Sequence, residues 1–160
     1  PYELVFAGNK KLTDLIDIVG EKQVSAGKLV LSPTRTYAPI LKAILTKNRA
    51  AINGLVHCSG GAQTKVLHFI NSLHIIKDNL FPIPPLFQLI QEQSNTNWEE
   101  MYKVFNMGHR MEIYTNIEFA QECIAISKSF GVDAQIIGRV EAADQKQVSI
   151  HSEKGNFIYH

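Results

Sequence analysis

The stretch Ile52-Asn53-Gly54-Leu55-Val56-His57-Cys58-Ser59-Gly60-Gly61-Ala62 carries an apolar run into a histidine, a hydroxyl and two adjacent glycines. Ile52 to Cys58 reads as a strand ending at His57-Cys58, and Ser59 or Gly60 can start a helix that carries Val66, Leu67 and Ile70. A glycine turn at the carboxyl end of a strand frees backbone N–H groups toward an anion, and a histidine beside them can donate a hydrogen bond or exchange a proton. In layered α/β architectures ligands tend to bind at that rim. The combination suits a phosphorylated ligand.

On either side, strands and helices alternate. Gly27 to Leu31 reads as a short strand, and Pro39 suits the first turn of a helix through Ile40, Leu41, Ile44 and Leu45. His74 to Lys77 is strand-like, and Pro84 or Pro85 can open a helix through Leu86, Phe87, Leu89 and Ile90. Asn97 followed by Glu100 marks a capped start for Trp98 to Val104. His109 to Tyr114 alternates as a strand. Thr115 with Glu118 forms a capping-box pattern before a helix with Ala120, Cys123 and Ile124 inward, and Gly131 is placed as its C-terminal cap. Ala134 to Val140, Gln147 to Ile150 and an edge at Asn156 to Tyr159 finish as strands. Leu12, Leu15, Ile16 and Val19 before Gly20 permit a short helix, within a segment 1–26 whose structure the pattern leaves open. The class is α/β (α+β), a layered mixed β-sheet with helices.

Composition bounds what such a domain does. The 160 residues, 45% hydrophobic and 19% charged, fit one globular domain, 1–160, with a sizeable core. A net charge of +1 from scattered charges leaves no basic stripe for a nucleic-acid groove. Cys58 and Cys123 are too few for a disulfide scaffold and neither sits in a Cys-x-x-Cys pair, which fits a reducing cytoplasm. Pro82, Pro84 and Pro85 interrupt the most apolar stretch, so no membrane span is expected. The chain opens Pro1-Tyr2-Glu3-Leu4-Val5-Phe6, without an initiator methionine or basic leader, and is expected to be the downstream part of something longer.

Four segments in order carry a family likeness: Leu31-Ser32-Pro33-Thr34-Arg35-Thr36-Tyr37, Gly54 to Gly61, Glu100-Met101-Tyr102-Lys103-Val104-Phe105-Asn106-Met107-Gly108, and Ile137-Gly138-Arg139-Val140. The set resembles the C-terminal domain of the aminoimidazole ribonucleotide synthetase (phosphoribosylformylglycinamidine cyclo-ligase) family. That resemblance implies a two-domain enzyme whose N-terminal domain, absent from this chain, supplies most of the ATP site and a homodimer interface, while this domain closes the cleft. It also implies ATP and Mg2+ as cofactors, the metal arriving with ATP, and a phosphorylated ribonucleotide as substrate. The implied reaction phosphorylates the formamide oxygen of formylglycinamidine ribonucleotide and closes the ring to aminoimidazole ribonucleotide, in purine biosynthesis.

Carried over by position, the resemblance makes His57 the candidate catalytic residue and Thr34, Arg35, Ser59, Gly60, Gly61, Asn106, Met107 and Gly108 the candidate substrate or phosphate contacts. Two departures stand out. Ala62 replaces the third glycine of the family's His-x-Thr-Gly-Gly-Gly segment, with Lys65-Val66-Leu67-His68 after it instead of an Asn-x-Pro-Arg tail, and His109-Arg110-Met111 replaces a small-residue continuation. A sibling ATP-dependent synthetase or kinase, or a non-catalytic nucleotide-binding domain, stays open beside the cyclo-ligase.

Each candidate also has a plain structural reading. His57 can be a satisfied structural histidine, Gly60-Gly61 only a strand-to-helix turn, and Ser59 a helix cap. Asn106 can satisfy its own loop, Met107 can be core, and Arg35 can be a structurally paired or solvated arginine. Cys58 follows His57 on a strand and so points to the opposite face, poorly placed for thiolate activation. His68, His74, His109, His151 and His160 lack ligand-like spacing with carboxylates, so no protein-bound metal is expected.

Overall fold

The computed structural model describes residues 8–18, 23–32 and 35–160. Eight strands, five α-helices and two 3-10 segments follow one another along them: β1 (Leu15–Ile16), β2 (Val24–Ser25), α1 (Ala26–Val30), α2 (Ala38–Asn48), a 3-10 turn (Arg49–Ala51), β3 (Ile52–His57), a 3-10 helix (Ala62–His68), β4 (Leu73–Lys77), α3 (Pro85–Ser94), α4 (Trp98–Val104), β5 (Met111–Thr115), α5 (Ile117–Ser129), β6 (Gly138–Ala142), β7 (Gln147–Ser152) and β8 (Gly155–Tyr159).

The mixed sheet has the order β6-β4-β7-β8, with β4 and β7 parallel and the outer pairs antiparallel. Alternation along these strands aims Ile75, Val148, Ile150 and Tyr159 into one core, which Val66 and Leu67 of the 3-10 helix, Met101 and Tyr102 of α4, Met107 and Val56 complete. A second pair, β3 with β5, runs antiparallel and sets His57 opposite Met111. Behind it, α2 packs on α5 around a second core of Ile40, Ile44, Ile52, Phe119 and Cys123. β3 therefore joins both cores, through Ile52 at its start and Val56 near its end.

Sequence logic holds where caps and periodicity are strong. Asn97 accepts from Glu100 N at 2.8 Å and starts α4 at Trp98, and Pro85 opens α3. Gly131 takes φ +69 beyond α5, as a C-terminal cap requires.

Five readings are corrected. Residues Gly27 to Val30 lie in α1 instead of a strand, because Ser25 caps the turn by accepting from Lys28 N and Gly27 packs against the Leu12 carbonyl, where a Cβ would come within 2.9 Å. Leu15–Ile16 forms strand β1 with Val24–Ser25 instead of a helix; Val19 and Gly20 lie outside the described residues. The segment after the glycine turn is a tight 3-10 helix that begins at Ala62 and ends at His68. α5 is capped by Asn116, whose Oδ1 accepts from Phe119 N, while the Thr115 hydroxyl donates to Ala51 O at 2.7 Å. Residues 134–137, expected in the last strands, stay out of the ladder because the Ile137 carbonyl accepts from both Asp78 N and Asn79 N, and Gln135 Nε2 donates to Asn79 O. β6 begins at Gly138, so close to β4 that a Cβ there would lie 1.8 Å from Ile76 O.

Candidate functional site

β3 ends at an exposed His57, and the chain turns at once: Ser59 N donates to His57 O (2.8 Å), Ala62 N to Ser59 O and Thr64 N to Gly61 O (both 2.9 Å). Such a reversal needs left-handed backbone, which Gly61 supplies at φ +80; Ala62, at φ +39, adopts it at a cost that glycine would not incur. A side chain at Gly60 would meet nothing within 4 Å, so the turn's crest is open. The N–H groups of Gly60 and Gly61 have no acceptor among the described residues. Over this crest folds Lys65, whose ammonium donates to Ser59 Oγ.

The Asn106-Met107-Gly108 loop meets the turn from the other side. Gln63, wholly buried, donates from Nε2 to Asn106 O at 2.7 Å, and Cys58 N donates to Arg110 O at 3.0 Å. The loop's own geometry explains its residues. Asn106 Oδ1 accepts from Gly108 N (3.0 Å) and Asn106 O from His109 N (2.9 Å). Gly108 stands at φ +92 with Pro84 Cγ 3.1 Å from where a Cβ would be. Met107, at φ +50, buries its side chain in the main core, so only its backbone faces the loop's surroundings. Asn106 and Met107 thus match their plain structural readings in side chain while holding the loop's backbone against the turn.

Two candidates stand apart. Arg35 is exposed and donates from Nη1 to Gly131 O at 3.4 Å, beyond the C-terminal end of α5, with no hydrogen bond to either turn among the described residues. Thr34 lies outside the described residues.

Beneath the two turns lies a buried polar network built on Lys77, Gln63 and Glu112, which the sequence reading passed over. Lys77 of β4, 1% exposed, donates to Gln63 O (2.7 Å) and Gln63 Oε1 (3.0 Å) and pairs with Glu112 of β5. Glu112 in turn accepts from Tyr114 OH at 2.6 Å. The phenol is held far above its ordinary range by burial and by the adjoining carboxylate. Cys58 sits among these groups, and burial, helped by Glu112, pushes its thiol up to about 12, which makes it an inert core thiol. His109 is buried as well: its Nε2 accepts from Phe81 N (3.2 Å), its ring meets Phe81 at 5.1 Å between centroids, and burial together with Lys77 lowers its pKa to about 4. Glu112 was detectable in principle, as a lone charge between the apolar Met111 and Ile113, whereas Lys77, at the strand's end and followed by Asp78, looks like an ordinary solvated charge. Lys65 and Gln63 carry no such signal.

The available donors are N–H groups, hydroxyls and cations, a set that suits an anion and not a metal ion. Among the described residues, no three His, Cys, Asp or Glu side chains gather as a metal cluster, and no helix is long and apolar enough to cross a membrane. A cavity of about 420 Å3 opens between α2, α5, β5 and 132–140, and Gly108 of the loop lines it together with Lys77, His109 and Glu112. His57, Ser59, Gly60 and Gly61 do not line it. Its walls are mainly apolar, whereas the anion chemistry sits at the open turn.

With the fold and the two turns described, comparison places the chain. Its residues 6–151 match the family described as "AIR synthase related protein, C-terminal domain", and the chain belongs to that family. Similar curated proteins are phosphoribosylformylglycinamidine cyclo-ligases: that of Brevibacillus brevis is 30% identical over 140 residues (86% of this chain, 39% of that protein). The Methanococcus vannielii protein of that name is 37% identical over 124 residues (74% and 35%), and the Methanocaldococcus jannaschii one 34% over 136 residues (82% and 39%). The chain thus spans under half the length of these relatives. HypE, a hydrogenase maturation protein of E. coli, shares the fold with a TM-score of 0.53 at 21% identity, over 74% of this chain and 36% of that one.

Proposed function

We propose that this chain is the C-terminal domain of an ATP-dependent cyclo-ligase that converts formylglycinamidine ribonucleotide to aminoimidazole ribonucleotide in the cytoplasm. The observation that carries the reading is the joining of the glycine turn and the Asn106 loop by Gln63, in a chain similar to proteins of that name. In this reading the N–H groups of Gly60 and Gly61 and the Lys65 ammonium receive a phosphoryl group of the substrate, in the open position that their geometry leaves. His57, exposed at the strand end, donates a hydrogen bond to the amide oxygen or its phosphorylated form.

The chemistry transfers the γ-phosphoryl of ATP to the formamide oxygen and releases ADP. A substrate nitrogen then attacks the activated carbon, the C–N bond forms, and phosphate leaves with the former formamide oxygen. Magnesium, when bound with ATP, offsets the nucleotide's charge. In this reading the ATP and metal sites, and the homodimer contact, belong mainly to a part of the protein beyond these residues, since the relatives of this name are more than twice as long as the stretch this chain matches.

Turnover decides the reading. Full-length protein carrying this domain should convert formylglycinamidine ribonucleotide and ATP to aminoimidazole ribonucleotide, ADP and phosphate, and His57→Ala should lower kcat with the melting temperature retained. No ring closure by the full-length protein would refute the cyclo-ligase assignment. A His57→Ala variant that loses stability and keeps its kcat would return His57 to a structural role.

A further inference from the structure

The ammonium of Lys77 has three N–H donors, and three acceptors surround it: Gln63 O, Gln63 Oε1 and a Glu112 carboxylate oxygen. These acceptors belong to different stretches of chain, the 3-10 helix after the glycine turn and strand β5, while Lys77 itself belongs to β4. With its carbonyl oxygen facing Lys77, the Gln63 amide can only turn its NH2 outward, and there it donates to Asn106 O at 2.7 Å. The amide's orientation is thus dictated by the cation, and the loop's position by the amide. On the opposite side, Tyr114 OH holds the second oxygen of Glu112, so the carboxylate is fixed from both ends. Among the described residues, no buried side-chain nitrogen or oxygen lacks a partner.

Packing alone does not call for this arrangement. A buried ion pair contributes little net stability over apolar residues of the same volume, because desolvating both charges offsets their attraction. What it supplies is direction: hydrogen bonds fix the separation of two turns that apolar contacts would leave free to slide.

We propose that Lys77 is a positioning residue: through Gln63 and Glu112 it sets the Asn106 loop against the Gly60-Gly61 turn, in the spacing that binds the phosphorylated ribonucleotide. The inference rests on the function proposed above for its ligand, and on the network alone for its geometry.

Two variants of the full-length protein test it. Lys77→Met with Glu112→Gln removes both charges together and leaves an acceptor for Tyr114 OH, which protects the fold. Gln63→Met keeps the ion pair and removes only the link to Asn106. In each, KM for formylglycinamidine ribonucleotide should rise by about tenfold or more, while KM for ATP changes by less than about twofold. A role confined to stability would reduce the active fraction and leave both KM values in place, and that result overturns the proposal. Hydrogen exchange supplies a readout free of turnover: amides 106–109 should exchange about tenfold faster in both variants, with the β3–β5 ladder still protected. Unchanged exchange at 106–109 also overturns it. If the wild-type protein fails to turn the ribonucleotide over, the cyclo-ligase reading falls, and the exchange result still decides whether Lys77 positions the loop. Should the double variant not fold, Gln63→Met decides alone.

Discussion

Mild acid should loosen this domain through His109, whose ring lies 3% exposed between the Asn106 loop and Phe81. Its Nε2 accepts from Phe81 N, which places the ring proton on Nδ1. Burial strips water from the charge that protonating Nε2 would create, and the new cation would lie near Lys77; Glu112 offsets only part of this. These causes lower the pKa from 6.5 to about 4. The unfolded chain keeps the ordinary value, so as pH falls below about 6.5 it takes up a proton the folded chain refuses. The stability that the neutral ring confers is therefore complete above about pH 6.5, falls as pH drops toward about 4, and is gone below that. At 1.36 kcal/mol per pH unit the loss amounts to about 3 kcal/mol, a large share of a small domain's stability. Urea unfolding at several pH values measures it, alongside His109→Gln, which can still accept from Phe81 N and never titrates. Wild type should lose about 3 kcal/mol more than the variant between about pH 7 and pH 4. Parallel stability curves, or an NMR titration placing His109 near its ordinary value, would refute the reasoning.

Other consequences are narrower. Gly138→Ala should cost on the order of 3 kcal/mol or more, since its Cβ would overlap Ile76 O at 1.8 Å and force β6 off β4; a melt within a degree of wild type would contradict that spacing. Cys58 should resist iodoacetamide in the folded protein at about pH 8, where its thiol, pushed up to about 12, stays protonated and buried; rapid labelling by mass spectrometry would place it at the surface. Asn97→Ala and Asn116→Ala should each lower unfolding free energy by about 1 kcal/mol through loss of a helix cap, measured in urea, and a neutral Asn116→Ala would dispute the start of α5.

Motif order and capping residues made much of this domain legible. The strand through His57, the proline-opened α3, the Asn97 cap and the Gly131 cap follow from local chemistry that few tertiary contacts can override. The apolar residues of Gly27 to Val30 satisfy a strand pattern, while the deciding interactions, the Ser25 cap and the approach to the Leu12 carbonyl, depend on a neighbouring segment. The same holds at 134–137, where Asp78 and Asn79 take the Ile137 carbonyl. At the site, the glycine turn and the Asn106 loop were visible as motifs, but not what joins them. Gln63 looks like any polar residue after a turn, and Lys77 and Glu112 become partners only when the fold brings the end of β4 against β5, a strand of a different sheet.

The central claim is that the two turns form one site for a phosphorylated ribonucleotide. It is tested most directly by titrating isotopically labelled full-length protein with formylglycinamidine ribonucleotide while following backbone amides by NMR. Gly60, Gly61 and residues 106–108 should shift together along a single binding curve, with Ile40, Ile44 and Cys123 on the far wall of the α2–α5 cavity unmoved. Shifts confined to one turn, or centred on that cavity, would contradict it.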